Sequence, residues 1–285
     1  MSIAAEANWP RAQLDADYTA RDSCSLEDFE RTIAAYLTRS QAALDLPNSR
    51  TDLVFDAAAG LGLDLFGTMP GELRPLVIFI HGGYWRGLSK QHSAFLAPML
   101  AAQGIACAVP DCRLAPTVRM TDIVADTRNA FAYMWHEAEA LGIDRHRIVV
   151  TGSSAGGHLA ATLLQGGWQA SLGLPEQPIA AAMPVSGLFD LAPIAASHVQ
   201  DWMQFSPAEI EAFSPLRHLP GGAPRLTVVA AEHEAPGFHR QSQAYAKAVG
   251  APCMIGARRH HFDVIFDLAD ADHPLSRELL RLVSG

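Results

Sequence analysis

The feature that most constrains this chain is a repeated alternation of apolar and helical segments. Leu76–Ile80 is a continuous apolar run, typical of a strand buried on both faces of a sheet. Further strands are predicted at Asp52–Ala57, Leu61–Phe66, Ile105–Val109, Arg147–Thr151, Ile179–Val185, Arg225–Ala231 and Pro252–Ile255. Helices are predicted at Lys90–Gln103, Thr121–Leu141, Phe238–Val249 and Asp263–Val283, and from Ala155 onward. This order predicts an α/β fold whose mostly parallel central sheet is flanked by helices.

Two segments interrupt the alternation. Residues 1–50 have a largely helical pattern, clearest at Leu26–Ser40, and residues 188–219 form a polar insertion containing Trp and Phe. Open α/β sheets bind ligands at the carboxyl ends of their strands. We therefore expect both segments to form a small cap over that edge, with surface decoration as the alternative. The whole chain, residues 1–285, is expected to be one domain.

Composition excludes several classes of partner. The 285 residues carry a formal charge of −9, and no cluster of Lys and Arg offsets it, so a nucleic-acid partner is not expected. No apolar run approaches the roughly 18 residues that span a membrane. The start of the chain lacks the pattern of a secretory signal, and the four cysteines match no zinc pattern. We expect a cytoplasmic protein without a metal site or membrane partner, and a homodimer is left open.

The strongest chemical signal is Gly152-Ser153-Ser154-Ala155-Gly156. It follows a predicted strand and precedes an Ala-rich helix, which is the setting of a nucleophile elbow. Glycines two residues to either side of Ser154 leave room for the strained turn, which predicts Ser154 as a nucleophile. Ser153 lacks glycines at those spacings and is expected to be structural.

A second glycine motif, His81-Gly82-Gly83-Tyr84-Trp85, follows the buried strand at Leu76–Ile80. Acyl transfer needs hydrogen-bond donors for the oxygen that becomes negative in the transition state. We expect the backbone N–H groups of Gly83, Tyr84 and Ala155 to form this oxyanion hole, with Gly82 as the turn residue.

A serine nucleophile needs a histidine base and an acid, in the chain order Ser, acid, His. The loop after the last predicted strand offers His260 and His261, and we favour His261, which directly precedes Phe262 and the final helix. The loop after the preceding strand offers Glu232 and Glu234. We prefer Glu234 because Glu232 sits at the strand end.

Other residues near the motifs have a structural alternative. His158 lies four residues after Ser154 and is expected to pack rather than to act as the base. Trp85, Trp202 and Phe205, beside Tyr84, are predicted to line an aromatic substrate pocket, and core packing explains each of them equally well.

The chain resembles the α/β-hydrolases, specifically the kynurenine formamidase (arylformamidase) group beside the hormone-sensitive-lipase-type esterases. The resemblance is carried by residues 81–85, where the lipases have a third glycine, and by residues 152–158, 238–242 and 261–265. Tyr18–Arg21 and Phe29–Ser40 are also similar to bacterial members. It implies Ser154 as nucleophile, Glu234 as acid and His261 as base. Glu stands where Asp is frequent, and Cys112 where many relatives have Tyr.

These observations predict a serine hydrolase that forms an acyl-enzyme and needs no cofactor. Its partner is expected to be a small amide or ester, with an N-formyl aryl amine such as N-formylkynurenine favoured. The alternatives are a short-chain or aryl carboxylesterase, a hydrolase of another small amide, and a silent hydrolase homologue that only binds a ligand.

Overall fold

The computed structural model describes residues 2–222 and 225–285. Met1, the first residue of the predicted cap segment, lies outside the described residues, as do Ala223 and Pro224. Within the described part, one sheet contains nine strands, β1 to β9. Their bounds are Arg50–Asp56, Leu61–Phe66, Arg74–Ile80, Ala106–Pro110, Ile143–Ser153, Ala181–Val185, Arg225–Leu226, Val228–His233 and Cys253–His260.

The strand order is β1-β2-β4-β3-β5-β6-β8-β9, with β7 paired to β6. β2 pairs antiparallel with both β1 and β4, and every other pair is parallel. The α/β fold with a mostly parallel sheet is therefore confirmed. Because parallel neighbours run in one direction, the loops that follow β3, β5, β8 and β9 meet at one edge of the sheet.

The apolar run of β3 is explained by helices on both faces of the sheet. Leu76, Ile78 and Ile80 belong to one buried cluster. Val77 and Phe79 belong to another. Successive side chains of a strand point to opposite faces, so a strand covered on both sides must be apolar at every position.

Ten α-helices are described, α1 to α10. Their bounds are Arg11–Tyr18, Leu26–Gln41, Ala97–Ala102, Met120–His136, Ala155–Leu163, Ala192–Ala195, Gln200–Met203, Pro207–Ala212, Pro236–Val249 and Pro274–Ser284. α4, α5 and α9 contribute to the first buried cluster. α3 and α10 contribute to the second. No helix of residues 2–222 or 225–285 is both long and apolar enough to cross a membrane.

Two predicted helices are shorter in the structure. The helix expected at Lys90–Gln103 is reduced to α3, preceded by two 3₁₀ turns at Lys90–His92 and Ala94–Leu96. Pro98 lies in the first turn of α3, where its missing N–H costs nothing. The helix expected at Asp263–Val283 is likewise split into a 3₁₀ segment, Val264–Ala269, and α10, which begins at Pro274.

Two other elements end at residues different from the predicted ones. The helix expected at Thr121–Leu141 ends at His136, and the last strand runs to His260 rather than to Ile255. Because β9 is longer, the loop that carries His261 begins directly at the strand end.

The two interrupting segments lie at the carboxyl edge of the sheet. The N-terminal segment contains α1 and α2 and is tied to α9 by Arg240, which pairs with Glu6 at 2.7 Å and with Asp17 at 2.5 Å. Residues 188–219 form α6, α7 and α8. Both segments contribute side chains to one cavity, including Arg21 and Trp202.

Candidate active site

Ser154 lies at the junction of β5 and α5 in a backbone conformation that L-residues rarely adopt, with φ 58° and ψ −117°. Such strain persists only where the surroundings enforce it. The Ser154 N–H donates to the Val185 carbonyl at 2.8 Å. A Cβ on Gly156 would lie 2.0 Å from the Ile80 oxygen, so only glycine allows this approach to the end of β3. The turn places Ser154 at a cavity.

Glu234 and His261 form a buried pair across the ends of two neighbouring strands. Glu234 follows β8, and His261 follows its parallel neighbour β9. His261 Nδ1 lies 2.9 Å from Glu234 Oε2, and the two side chains are 2% and 0% exposed. When Nδ1–H donates to the carboxylate, Nε2 keeps its lone pair and can accept a proton. His261 and Ser154 line the same cavity.

Glu232 and His260, the two alternatives that the sequence left open, accept hydrogen bonds from backbone N–H groups instead. Glu232 is exposed, and its Oε2 accepts the Arg258 N–H at 2.5 Å. His260 Nδ1 accepts the N–H groups of Phe262 and Asp263 at 3.2 and 3.3 Å. Neither residue is part of the buried pair that Glu234 and His261 form.

The turn after β3 runs directly beside the elbow. A Cβ on Gly82 would lie 2.9 Å from the Ser153 oxygen, and one on Gly83, which has φ 96°, would lie 2.2 Å from the Gly87 oxygen. Among the described residues, no backbone carbonyl or side chain accepts from the N–H groups of Gly83, Tyr84 or Ala155. Gly83 and Tyr84 line the cavity at Ser154, and Ala155, the residue after Ser154, is 1% exposed.

Tyr84 connects this turn to both cap segments. Its φ of 50° is unusual for a residue with a bulky side chain. Its hydroxyl donates to the Tyr18 carbonyl at 2.5 Å, and its own carbonyl accepts from Trp202 Nε1 at 3.3 Å. Burial raises the pKa of Tyr84 well above its usual value, so the hydroxyl stays protonated. The position of the turn thus depends on contacts outside it.

The cavity at Ser154 has a volume of about 400 Å³. Its walls come from the N-terminal segment, the turn after β3, α7 and the loop after β9. Phe262, beside His261, packs edge-on against Phe29, with the ring centres 4.9 Å apart. The Tyr36 hydroxyl donates a hydrogen bond to the Phe262 carbonyl at 2.5 Å. One side of the cavity, next to the histidine, is therefore aromatic.

Of the three aromatic residues predicted for the pocket, Trp202 lines this cavity, and Trp85 and Phe205 do not. Trp85 is 1% exposed and Phe205 is 5% exposed, and their rings pack edge-on at 5.8 Å. The expectation for these two residues is corrected: both rings pack against each other in the core beneath the turn, where burial removes their apolar surface from water.

His158 is fully buried, and its Nε2 lies 2.8 Å from the Phe213 carbonyl. Its ring packs against Trp85 at 5.1 Å. Burial lowers the pKa of His158 to about 4, so the ring is neutral at physiological pH. His158 is not among the residues that line the cavity.

Sequence reasoning missed several cavity residues. Arg21, Phe29 and Tyr36 reach it from the N-terminal segment, and Arg86 reaches it from the turn after β3. The only earlier signal was the family resemblance of Tyr18–Arg21 and Phe29–Ser40, because helical periodicity alone does not say what a helix covers. In the part of the chain that the structure describes, no group of three or more His, Cys, Asp or Glu side chains is arranged to hold a metal ion.

Comparisons with known proteins place this geometry in a family. The BD-FAE family model matches residues 63–229, more than half of the chain. Kynurenine formamidase from Danio rerio is 28% identical over 264 residues, covering 88% of this chain and 87% of that protein. Kynurenine formamidase from Salmo salar is 27% identical over 263 residues, again covering 88% of this chain and 87% of the relative.

Among solved structures, a protein from Silicibacter sp. TM1040 that was described as a candidate thioesterase superposes with a TM-score of 0.81 at 28% identity. The match covers 95% of this chain and 99% of that one. A Pyrobaculum calidifontis esterase superposes with a TM-score of 0.69 at 18% identity, which bears on the fold alone. The chain belongs to the BD-FAE family and is an α/β-hydrolase of the kynurenine formamidase-like type.

Proposed function

We propose that this hydrolase works through Ser154 and that its substrate is an N-formyl aryl amine of the N-formylkynurenine type. The observation that carries the proposal is the shared cavity. Ser154 on its strained elbow lines it together with His261, which pairs with the buried Glu234, and Gly83 and Tyr84 line it as well. This set matches the roles that acyl transfer requires.

In the first half of the proposed reaction, His261 Nε2 accepts the proton of the Ser154 hydroxyl as Oγ attacks the formyl carbonyl. The carbonyl π electrons move to oxygen, and the N–H groups of Gly83, Tyr84 and Ala155 donate to the oxyanion. Losing one such donor typically costs on the order of 3–4 kcal/mol of transition-state stabilisation. Glu234 orients the imidazole and stabilises the imidazolium that forms.

In the second half, the C–N bond breaks, and His261 gives its proton to the leaving amine, which departs as a neutral aryl amine. Ser154 is left as a formyl ester. A water molecule then attacks this ester while His261 accepts one of its protons. The tetrahedral intermediate collapses to formic acid and free Ser154, which regains the proton from His261, and the formic acid ionises to formate in water.

The shape of the cavity supports an aromatic leaving group. Since His261 protonates the departing nitrogen, the leaving group must lie on the His261 side of Ser154. Phe262 and Phe29 form the wall on that side. The substrate named for the two formamidase relatives agrees with this reading. The same machinery cleaves esters, so an aryl or short-chain carboxylesterase is the second candidate.

The nucleophile is tested by labelling with a fluorophosphonate, which phosphonylates activated serines. We expect intact-mass spectrometry to find one adduct on the native chain. The adduct should also form on Ser153→Ala, a control one residue away in the same pentapeptide, and be absent from Ser154→Ala. An adduct on Ser154→Ala, or none on the native chain, would refute the serine mechanism, and the second result would favour a silent binder.

A further inference from the structure

Among the described residues, the cavity is lined by positively charged side chains and by no negatively charged ones. Its lining contains the side chains of Arg21 and Arg86, and among the described residues no Asp or Glu lines it. The chain as a whole carries a formal charge of −9. A positively charged cavity in an acidic protein raises the local concentration of anions. Burial lowers the pKa values of His81 and His92, so these lining histidines are neutral at physiological pH, and the arginines supply the charge.

Arg21 lies on the leaving-group side of the cavity. Its guanidinium stands 4.9 Å from the centre of the Phe29 ring, and Phe29 in turn packs against Phe262 beside His261. Its Nη1 donates to the Cys24 carbonyl at 2.8 Å, and its other nitrogens form no hydrogen bond with the described residues. Arg21 is half-buried, so an anion that reaches it is partly shielded from water.

Arg86 reaches the same cavity from the turn that carries Tyr84. Arg86 is exposed, and its guanidinium makes a cation–π contact 3.7 Å from the centre of the ring of Trp202, which also lines the cavity. Within the described ranges, neither Arg86 nor Arg21 forms an ion pair with a carboxylate.

Three carboxylates of the cap segments and of the Glu234–His261 pair already have partners. Glu234 lies behind His261 and pairs with its Nδ1. Asp15 pairs with Arg11 at 2.9 Å and lies 3.5 Å from His198 Nδ1. Asp17 pairs with Arg240. None of them neutralises the two cavity arginines, which therefore remain available to an anion supplied by the substrate.

We infer that Arg21 and Arg86 form an anion subsite that binds a carboxylate carried by the leaving group of the substrate. This inference rests on the proposed hydrolase, because the position of His261 defines which side receives the leaving group. The aromatic wall at Phe29 and Phe262 takes the ring, and a carboxylate attached to that ring or to a short side chain reaches the guanidinium groups. Hydrogen bonds between charged partners are the stronger kind and favour a charged substrate over a neutral one of the same shape.

The test compares two aryl acetates of equal size, 4-carboxyphenyl acetate and its neutral amide analogue, 4-carbamoylphenyl acetate. Each kcat/KM is divided by the hydroxide-catalysed rate constant of the same ester, which removes the difference in leaving-group reactivity. We expect the native protein to prefer the carboxylate by about 10-fold, the value of one charge-assisted hydrogen bond. In the double variant Arg21→Gln/Arg86→Gln, the preference should fall to about 1.

Arg145→Gln is the matched control, because Arg145 also stacks on a tryptophan, Trp135, at 5.9 Å and does not line the cavity. It should keep the native preference. A native preference at or below 1, or one that the double variant retains, would overturn the subsite while leaving the hydrolase proposal intact. Hydrolysis of neither ester by the native protein, or equal hydrolysis by Ser154→Ala, would instead overturn the hydrolase proposal and the subsite with it.

Discussion

The substitution Glu234→Gln is expected to abolish most of the activity while leaving the protein folded. Oε2 of Glu234 lies 2.9 Å from His261 Nδ1, and the side chains are 0% and 2% exposed, so water does not screen their interaction. Glutamine keeps an oxygen that can accept the Nδ1–H and removes the negative charge that stabilises an imidazolium. The equivalent change in a Ser-His-Asp triad lowers kcat about 10⁴-fold, which is about 5 kcal/mol of activation free energy.

The cost in stability is expected to be much smaller. Oε1 of Glu234 has no hydrogen-bond partner among the described residues. The amide nitrogen of glutamine would take its place without an acceptor, at a cost of about 1–3 kcal/mol in the free energy of unfolding. Glu234→Gln should therefore lose nearly all activity and remain folded.

The assay is kcat for p-nitrophenyl acetate together with urea unfolding followed by circular dichroism. Glu232→Gln is the control, since Glu232 is exposed and lies only two residues away. We expect it to keep the native kcat within about 2-fold, because a surface substitution has little effect. A Glu234→Gln variant with native kcat, or a Glu232→Gln variant that loses it, would refute the assignment of the acid.

Two further predictions concern residues around the site. Tyr84→Phe removes the hydrogen bond to the Tyr18 carbonyl, and we expect kcat to fall about 10-fold with a smaller change in KM, because the oxyanion donors shift. For His158, the folded-state pKa of about 4 lies below the ordinary value of 6.5. Between these values the unfolded chain binds a proton that the folded chain does not. Stability should therefore fall by up to about 3 kcal/mol as the pH drops from 6.5 to 4.

Matched variants isolate each effect. Tyr133→Phe removes a hydroxyl from a half-buried tyrosine outside the cavity and should leave kcat unchanged. If Tyr84→Phe behaves the same way, the hydroxyl does not position the turn. For the pH effect, unfolding is measured in urea at several pH values. His158→Gln should flatten the dependence and the exposed His146→Gln should not, and equal slopes in all three proteins would contradict the role of His158.

One strand and the two glycine turns of the site were predictable because the residues of each segment themselves determine its backbone conformation. β2 lies at Leu61–Phe66, as predicted, because a short, mostly apolar segment bounded by turn residues favours a β-strand. The elbow at Ser154 and the turn at Gly82 were also predictable, since close backbone approach demands glycine at fixed positions.

The rest depends on contacts between distant segments. Residues 1–50 were expected to cover the end of the sheet, but nothing local to Arg21 or Phe29 indicates that these side chains reach the cavity, or that Arg86 stacks on Trp202. Trp85 was misplaced for a similar reason: its ring packs against His158 and Phe205, which are distant in the sequence. The partner of His261 was narrowed to two glutamates, and the geometry of the strand ends places Glu234 beside it.

The most direct test of the central claim is kcat/KM for N-formylkynurenine beside p-nitrophenyl acetate and butyrate, with Ser154→Ala as the blank. We expect a value above roughly 10⁴ M⁻¹s⁻¹ for the formamide, well ahead of both esters, and no hydrolysis by Ser154→Ala. Weak turnover of the formamide with good turnover of the esters would contradict the formamidase assignment and identify an esterase. Turnover of any of the three substrates by Ser154→Ala would contradict the nucleophile itself.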